Sequence, residues 1–376
     1  MKIAIMGIRG MPSTYGGYET FVGELAPRLA QRGHDVTIYC RSGLFKERPP
    51  EHLGVKLRYL PSLEHKSLST LSHTALSITD ASLRDFDLIF VCNAANGLFG
   101  FIPRALGKKC VLNVDGMEWL RPKWSKTGKT FFKNSARLGT KFYHEIVTDA
   151  EEMHRLYARE FGIDSTYIAY GANIEQSEHP EVLKEYGLEP GGYYLIVGRR
   201  VPDNNADLLI EGFAKSGSQK MLAVVGGADY KGNVVEMEFH EKLKSLANDR
   251  VRFTGHVSKP GHLKELFANC FAYLHGHQFG GINPTILSAL GAGACVLALQ
   301  TPFNVEALDN GHYGLLFPKN PDELAKQLQF AESYPVEMQQ FRARAPERIR
   351  ERFTWEQITD QYEALFRKIT DKPLKK

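Results

Sequence analysis

Two successive α/β domains, each a doubly wound parallel sheet of Rossmann-like type, are predicted for this 376-residue chain by three observations. Short β-branched and aromatic runs alternate with longer amphipathic runs from end to end, the rhythm of repeated βαβ units. Several of the short runs are apolar throughout, as parallel strands covered by helices on both faces require. The series then restarts: Tyr193-Tyr194-Leu195-Ile196-Val197-Gly198 opens a second strand-then-glycine unit like the one at Met1–Gly7.

The first set of strands is expected at Lys2–Met6, Val36–Cys40, Val55–Leu60, Leu88–Cys92, Cys110–Val114, Glu145–Thr148 and Tyr167–Tyr170. The second set is expected at Tyr193–Val197, Met221–Val225, Val251–Thr254, Phe271–His275 and Cys295–Ala298. A polar, Pro- and Gly-bearing stretch separates them and places a linker near 172–190. The expected domains are therefore 1–175 and 190–350. The spacing of Trp355, Ile358, Tyr362, Leu365 and Phe366 predicts a closing helix within 354–376, packed back on the first domain.

Composition bounds the function classes. With 43% hydrophobic and 24% charged residues the chain reads as soluble and globular, which excludes wholesale disorder and fibrous repeats. No apolar run approaches the ~18–20 residues needed to cross a bilayer. The opening run reads as a strand and not as a signal peptide. Cys40, Cys92, Cys110, Cys270 and Cys295 are scattered, odd in number and mostly inside apolar runs. Neither a metal site nor a disulfide framework follows from them, and a cytoplasmic location is expected. The net charge of +4 is too mild to demand a polyanionic partner.

Paired α/β domains would set the carboxyl ends of their strands across a cleft, where ligands bind in open sheets. Three glycine-bearing turns fall at such ends. The first is Gly7-Ile8-Arg9-Gly10 followed by Tyr15-Gly16-Gly17-Tyr18-Glu19, with glycines that let backbone N–H groups approach a ligand. It lacks the G-x-G-x-x-G spacing, and Arg41 stands where a dinucleotide-binding acid would end the next strand, so a nicotinamide dehydrogenase is disfavoured. The second is His275-Gly276-His277-Gln278-Phe279-Gly280-Gly281-Ile282-Asn283-Pro284. Asn at an N-cap and Pro at the first helical position start a helix here, and the glycines leave its N–H groups open to a phosphate. The third, Gly198-Arg199-Arg200-Val201-Pro202-Asp203-Asn204-Asn205, offers two arginines to a diphosphate. His277 is expected to line the cleft.

Between Arg121 and Lys141 the chain carries seven basic residues, no acidic one, and Trp124, Phe131 and Phe132 interleaved. Such a face suits an anionic membrane surface or the pyrophosphate of a lipid-linked acceptor, with a solvated helix face as the plain alternative. Arg121, Lys123, Trp124, Lys126 and Lys129 are the residues this reading singles out. No nucleic-acid recognition fold accompanies them.

Taken in order, these segments resemble the GT-B glycosyltransferases of family 4, most closely the bacterial rhamnosyltransferases with an N-terminal DUF1972-type domain. The resemblance spans nearly the whole chain. Besides the turns above, it rests on Gly33-His34-Asp35-Val36-Thr37, on Asn113-Val114-Asp115-Gly116-Met117-Glu118-Trp119 with Arg121 and Lys123-Trp124, and on Tyr170-Gly171-Ala172. It implies a retaining transfer from a nucleotide-sugar donor, with no cofactor or required metal. Arg199 and the Gly280-Gly281 turn would hold the diphosphate; the lysine often paired with the Arg199-type residue is missing, and Arg200 or Asn204 would stand in, with Asn283 at the helix start. Glu306 would lie near the donor, and Gly16 and Gly17 would line the cleft from the other side. Asp115 and Glu118 would meet the transferred sugar and the acceptor, either one orienting or deprotonating an acceptor hydroxyl. Where the wider family has two glutamates eight positions apart, this sequence has Gly280 and Ser288, and the shorter Ser288 side chain would make a weaker hydrogen bond to the donor's ribose than the usual second glutamate.

The expected activity is thus transfer of a sugar, with dTDP-rhamnose a candidate donor, to a lipid-linked saccharide of a cell-surface polysaccharide at the inner face of the membrane. The alternatives are a catalytically weakened homologue that binds a nucleotide or a partner, and a nucleotide-sugar epimerase of the same fold.

Overall fold

The computed structural model describes residues 1–12, 16–65, 68–121, 124–227 and 234–371. The chain divides into two units, one of Met1–Tyr170 with Trp355–Lys376 and the other of Gly171–Thr354.

The first unit runs β1 (Lys2–Met6), α1 (Gly17–Gln31), β2 (Asp35–Arg41), β3 (Glu51–His52), β4 (Val55–Leu60), α2 (Ser69–Ser82), β5 (Leu88–Cys92), α3 (Phe101–Ala105), β6 (Cys110–Val114), α4 (Lys126–Phe142), β7 (Glu145–Thr148), α5 (Glu151–Phe161) and β8 (Thr166–Tyr167). Its sheet has the order β3-β4-β2-β1-β5-β6-β7-β8. Ile3 pairs with Val36 on one side and Leu88 on the other, both in parallel. Ile3, Ala4, Ile5 and Met6 are wholly buried, which is why this strand reads as an unbroken apolar run. The sheet order reverses at β1, so the carboxyl ends of β1 and β5 flank a topological switch point.

The second unit runs β9 (Tyr193–Val197), α6 (Ala206–Ser216), β10 (Met221–Val225), α7 (Val234–Leu246), β11 (Val251–Gly255), α8 (His262–Asn269), β12 (Ala272–His275), α9 (Pro284–Gly291), β13 (Val296–Leu299), α10 (Pro302–Ala307), β14 (Leu315–Phe317), α11 (Pro321–Ser333) and α12 (Pro335–Arg352). Its sheet is ordered β11-β10-β9-β12-β13-β14, all neighbours parallel. Ile196, Leu222, Val224, Leu274 and Leu297 form its core with Leu209 and Phe213 of α6 and Leu324 and Leu328 of α11.

The strands predicted from sequence are present, except that the last of the first set is β8 at Thr166–Tyr167 and not Tyr167–Tyr170. The two further strands, β3 and β14, are two and three residues long, too short for any periodic signal, and exist through pairing with β4 and β13. The stretch read as a linker is instead fixed to the second unit. The buried Glu265 carboxylate on α8 accepts from Ser177 Oγ at 2.6 Å and from the N–H groups of Glu178 and His179 at 2.8 and 2.9 Å. Burial alone would raise the Glu265 carboxyl, but these donors outweigh it and hold it below the usual carboxylate range. A depressed carboxyl adds stability above its unfolded value near pH 4.3 and loses it as pH falls through the folded value. Glu265→Gln is therefore expected to cost about 1–3 kcal/mol at neutral pH. In thermal melts from pH 7 down to pH 3, the gap from the parent should shrink with acidity.

The closing helix α13 (Trp355–Thr370) belongs to the first unit. Tyr362 lies 5.4 Å from the Phe21 ring and Phe366 5.4 Å from the Phe90 ring. Glu363 adds bonds to His34 Nε2 and the Arg32 guanidinium, each at 3.1 Å.

Candidate functional site

In the second unit the sheet order reverses at β9, which lies between β10 and β12. The segments leaving β9 and β12 are bound into one platform there. Asn204 Nδ2 donates to the Arg199 carbonyl at 2.7 Å, and His277 Nδ1 donates to Asn204 Oδ1 at 2.9 Å. Asn205 Nδ2 donates to the Gly276 carbonyl at 2.8 Å, and the Gln278 N–H to the Asp203 carbonyl at 3.1 Å. Gly276 must be glycine: an added Cβ would fall 2.4 Å from the Asn204 carbonyl oxygen. Gly226, after β10, is equally constrained, with φ 140° and a Cβ position 1.9 Å from the Gly198 carbonyl oxygen.

Gly280 and Gly281 are buried in the turn that enters α9, and Gly280 has φ 123°. Asn283 caps the helix by accepting from the Thr285 N–H at 2.9 Å, with Pro284 at its first position. Thr301 caps α10 by accepting from the Asn304 N–H at 3.2 Å, and Asn304 Nδ2 donates to the His277 carbonyl at 3.1 Å. The half-buried Glu306 lies on α10 and the half-buried Ser288 on α9. The structure thus brings Arg199, Asn204, Gly280, Gly281 and Asn283 onto one platform, with Glu306 on a helix pinned to it.

Arg200 departs from the expectation that both arginines face one target. Arg199 is exposed, whereas Arg200 is buried, its Nη1 donating to His240 Nδ1 at 3.1 Å and its guanidinium 5.7 Å from the Phe253 ring centroid. His240 lies on α7 and Phe253 on β11, the strand beyond β10 from β9, so the Arg200 guanidinium leans toward that edge of the sheet.

A buried relay beneath α9 escaped the sequence reading. Thr285 donates its hydroxyl proton to Asn283 Oδ1 at 2.8 Å, so it accepts from Tyr273 OH at 2.9 Å. Tyr273 oxygen in turn accepts from His275 Nδ1 at 2.9 Å. Burial pushes His275 down to about 3, so the ring is neutral and its buried Nε2 is a bare acceptor. The pair His275 and His277, two positions apart in the sequence, was the only signal, and it carried no direction.

In the first unit, Gly16 and Gly17 are exposed at the start of α1, and Gly16 has φ 123°. Glu19, in the helix's first turn, accepts from the Arg9 N–H at 3.0 Å and so ties the β1 turn to α1. Asp115 is half-buried on the turn after β6. Its charge acts on Tyr18, Tyr157 and Tyr170: burial first, with the Asp115 charge second, raises all three hydroxyls. Glu118 has both oxygens engaged: Oε1 lies 2.8 Å from Arg121 Nε and Oε2 accepts from Trp124 Nε1 at 2.7 Å. Arg121 is buried in this ion pair, and the Trp124 ring lies 4.8 Å from that of Phe132. Glu118, Arg121 and Trp124 therefore clasp the loop onto α4. Lys126 is exposed and Lys129 half-buried on α4, while Lys123 and Tyr15 lie outside the described residues. Lys133, Arg137 and Lys141 extend the exposed basic face, with Phe131 and Leu138 exposed among them.

All five cysteines are buried free thiols. Among the described residues no three His, Cys, Asp or Glu side chains are grouped to hold a metal ion, and no helix is long and apolar enough to cross a membrane.

Two parallel-sheet, Rossmann-like units, the second carrying a capped helix start and an arginine at its switch point, define a protein of the GT-B class. Residues 15–176 match the family model described as Glycosyltransferase Family 4, and residues 180–348 match that of glycosyl transferases group 1. The chain is a GT-B glycosyltransferase of the family 4 type, built from these two domains. Among solved structures it is similar to sucrose-phosphate synthase from Thermosynechococcus elongatus, with 17% identity, 98% of each chain covered and a TM-score of 0.85. It is also similar to Anabaena HepE in complex with UDP-glucose, at 17% identity over 97% of this chain and 99% of that one, TM-score 0.78. WaaG, a glycosyltransferase involved in lipopolysaccharide biosynthesis, gives 15% identity over 99% of this chain and all of that one (100%), TM-score 0.72. No curated protein matches the sequence at a significant level.

Proposed function

We propose that this glycosyltransferase moves a sugar, with retention at the anomeric carbon, from a nucleotide-sugar on the second-unit platform to a lipid-linked saccharide in cell-surface polysaccharide synthesis. The observation that carries the reading is the bonding of the Arg199–Asn205 segment to the 276–278 segment beside the start of α9. As the glycosidic bond breaks, the sugar becomes oxocarbenium-like and the departing diphosphate gains negative charge. With the diphosphate seated at the start of α9, the helix dipole and the exposed Arg199 guanidinium would offset that charge, and fixed donors of this kind stabilise a transition state by several kcal/mol. Charge neutralisation by these groups requires no metal ion. The leaving phosphate can itself take the acceptor's proton, and Asp115 is the first-unit group read as orienting the acceptor hydroxyl. Glu118, held by Arg121 and Trp124, acts by shaping the same loop.

Calorimetric titration in EDTA with dTDP-rhamnose, UDP-glucose, UDP-GlcNAc, GDP-mannose and their free nucleotides tests the donor half. Saturable binding of one donor, more tightly than the others, is expected. A folded sample silent to the whole panel would contradict it. dTDP-rhamnose is the first donor to try on the resemblance to rhamnosyltransferases, and UDP-glucose on the likeness to HepE.

The α4 face supports attachment to the cytoplasmic face of the membrane. Lys126, Lys133, Arg137 and Lys141 are exposed with Phe131 and Leu138 between them, a mix suited to an anionic lipid surface. At about 1 kcal/mol per basic group near the lipid, reversing Lys133, Arg137 and Lys141 to Glu should abolish co-sedimentation with phosphatidylglycerol vesicles at physiological salt. Equal sedimentation of parent and variant would refute the attachment.

A further inference from the structure

The first unit holds a second concentration of positive charge that the donor platform does not use. At the carboxyl end of β2, Arg41 is 8% exposed. It donates from Nη1 to Ser69 Oγ at 3.2 Å and from Nη2 to Thr70 Oγ1 at 2.7 Å. Both hydroxyls belong to the first turn of α2, whose amino end has no side-chain cap. A buried guanidinium is thus held against the positive end of a helix dipole, the reverse of what helix electrostatics favours. Arg9 adds a second positive charge nearby, and burial with the Arg9 charge lowers Arg41 from its ordinary value.

Among the described residues Arg41 forms no ion pair, and its Nε–H is buried without an acceptor. The acids that act on it from a distance are Glu19 and Glu64. Glu19 is bound to the Arg9 N–H at 3.0 Å and Glu64 to the Ser62 hydroxyl at 2.6 Å. One helical turn beyond Ser69 and Thr70, His73 and Thr74 are fully buried, with His73 Nδ1 and Thr74 Oγ1 unpartnered. A buried cation without a counter-ion is costly, and an anion at this place would remove the cost. Guanidinium N–H, hydroxyl donors and a helix amino end together suit the oxygens of a phosphate group.

We propose that Arg41, with Arg9, Ser69 and Thr70 at the amino end of α2, forms a subsite for a phosphate or diphosphate group in the first unit. It deepens the proposed function, on which it rests for one point: the group is the diphosphate of the lipid-linked acceptor, as distinct from a free phosphate ion.

The test is calorimetric titration of the full chain with farnesyl diphosphate and, separately, inorganic phosphate. Arg41→Gln should weaken farnesyl diphosphate binding roughly tenfold to a hundredfold while leaving nucleotide binding unchanged. Arg9→Gln, which removes an exposed side chain and leaves the core intact, should weaken it roughly threefold to tenfold, and carries the test if Arg41→Gln does not fold. Arg199→Ala should leave it unaltered. Binding that survives both Arg41→Gln and Arg9→Gln, or is lost with Arg199→Ala, would overturn the subsite. Inorganic phosphate binding as tightly as farnesyl diphosphate would overturn the acceptor assignment. Silence in the nucleotide panel would sink the donor reading and leave these arms readable.

Discussion

Arg199→Ala should lower kcat/KM for the donor by roughly two to three orders of magnitude, with most of the loss in kcat. Arg199 is exposed at the end of the second unit's central strand, and its own carbonyl is pinned by Asn204, so removing the guanidinium leaves the loop in place. The missing charge would otherwise offset the negative charge that grows on the departing diphosphate, a term larger in the transition state than in the bound donor. Steady-state kinetics separate the cases. A fall confined to KM would mean that Arg199 only helps the donor to bind, and unchanged kinetics would remove it from the machinery.

Gly276→Ala should have an effect of comparable size by a different route. The new methyl would sit 2.4 Å from the Asn204 carbonyl oxygen and 3.2 Å from Leu209 Cδ1, and a backbone atom has little room to yield. The 199–205 segment must move away from 276–278, breaking the bonds from Asn205 to Gly276 and from His277 to Asn204. Overpacking of this kind costs about 1–3 kcal/mol, and the donor site is lost with the platform. Thermal melts and nucleotide titration read the two consequences separately. Melting lowered by several degrees together with absent nucleotide binding is the expected result. Full nucleotide affinity would show that the two segments need not touch to form the site.

Local physics made much of this legible in advance. β1 and β9 announce themselves because central parallel strands are buried on both faces, and the start of α9 because Gly-Gly, an N-cap Asn and an N1 Pro are all local signals. The helix α13 was readable from five apolar residues at helical spacing, all of them buried. What stayed hidden depends on tertiary contact. Nothing local says that Asn204 reaches His277, that Arg200 turns to Phe253, or that Gly276 and Gly226 are glycines because another backbone passes against them. In sequence Glu118 reads as meeting the acceptor and Arg121 as part of a basic face; that the two pair with each other beside Trp124, packed on Phe132, is a tertiary fact. The stretch 172–190 has the composition of a linker because much of what fixes it is distant in sequence: Glu265 accepts from the Glu178 and His179 N–H groups, and Gly291 and Phe353 from those of Glu175 and Ala172.

Hydrogen exchange on the full chain, with and without the nucleotide-sugar that titration selects, tests the central claim most directly. Donor bound on the platform should slow exchange across 198–205 and 276–286 and leave α2 and α4 of the first unit unchanged. Slowing that spares both of those segments would place the donor elsewhere and contradict the account.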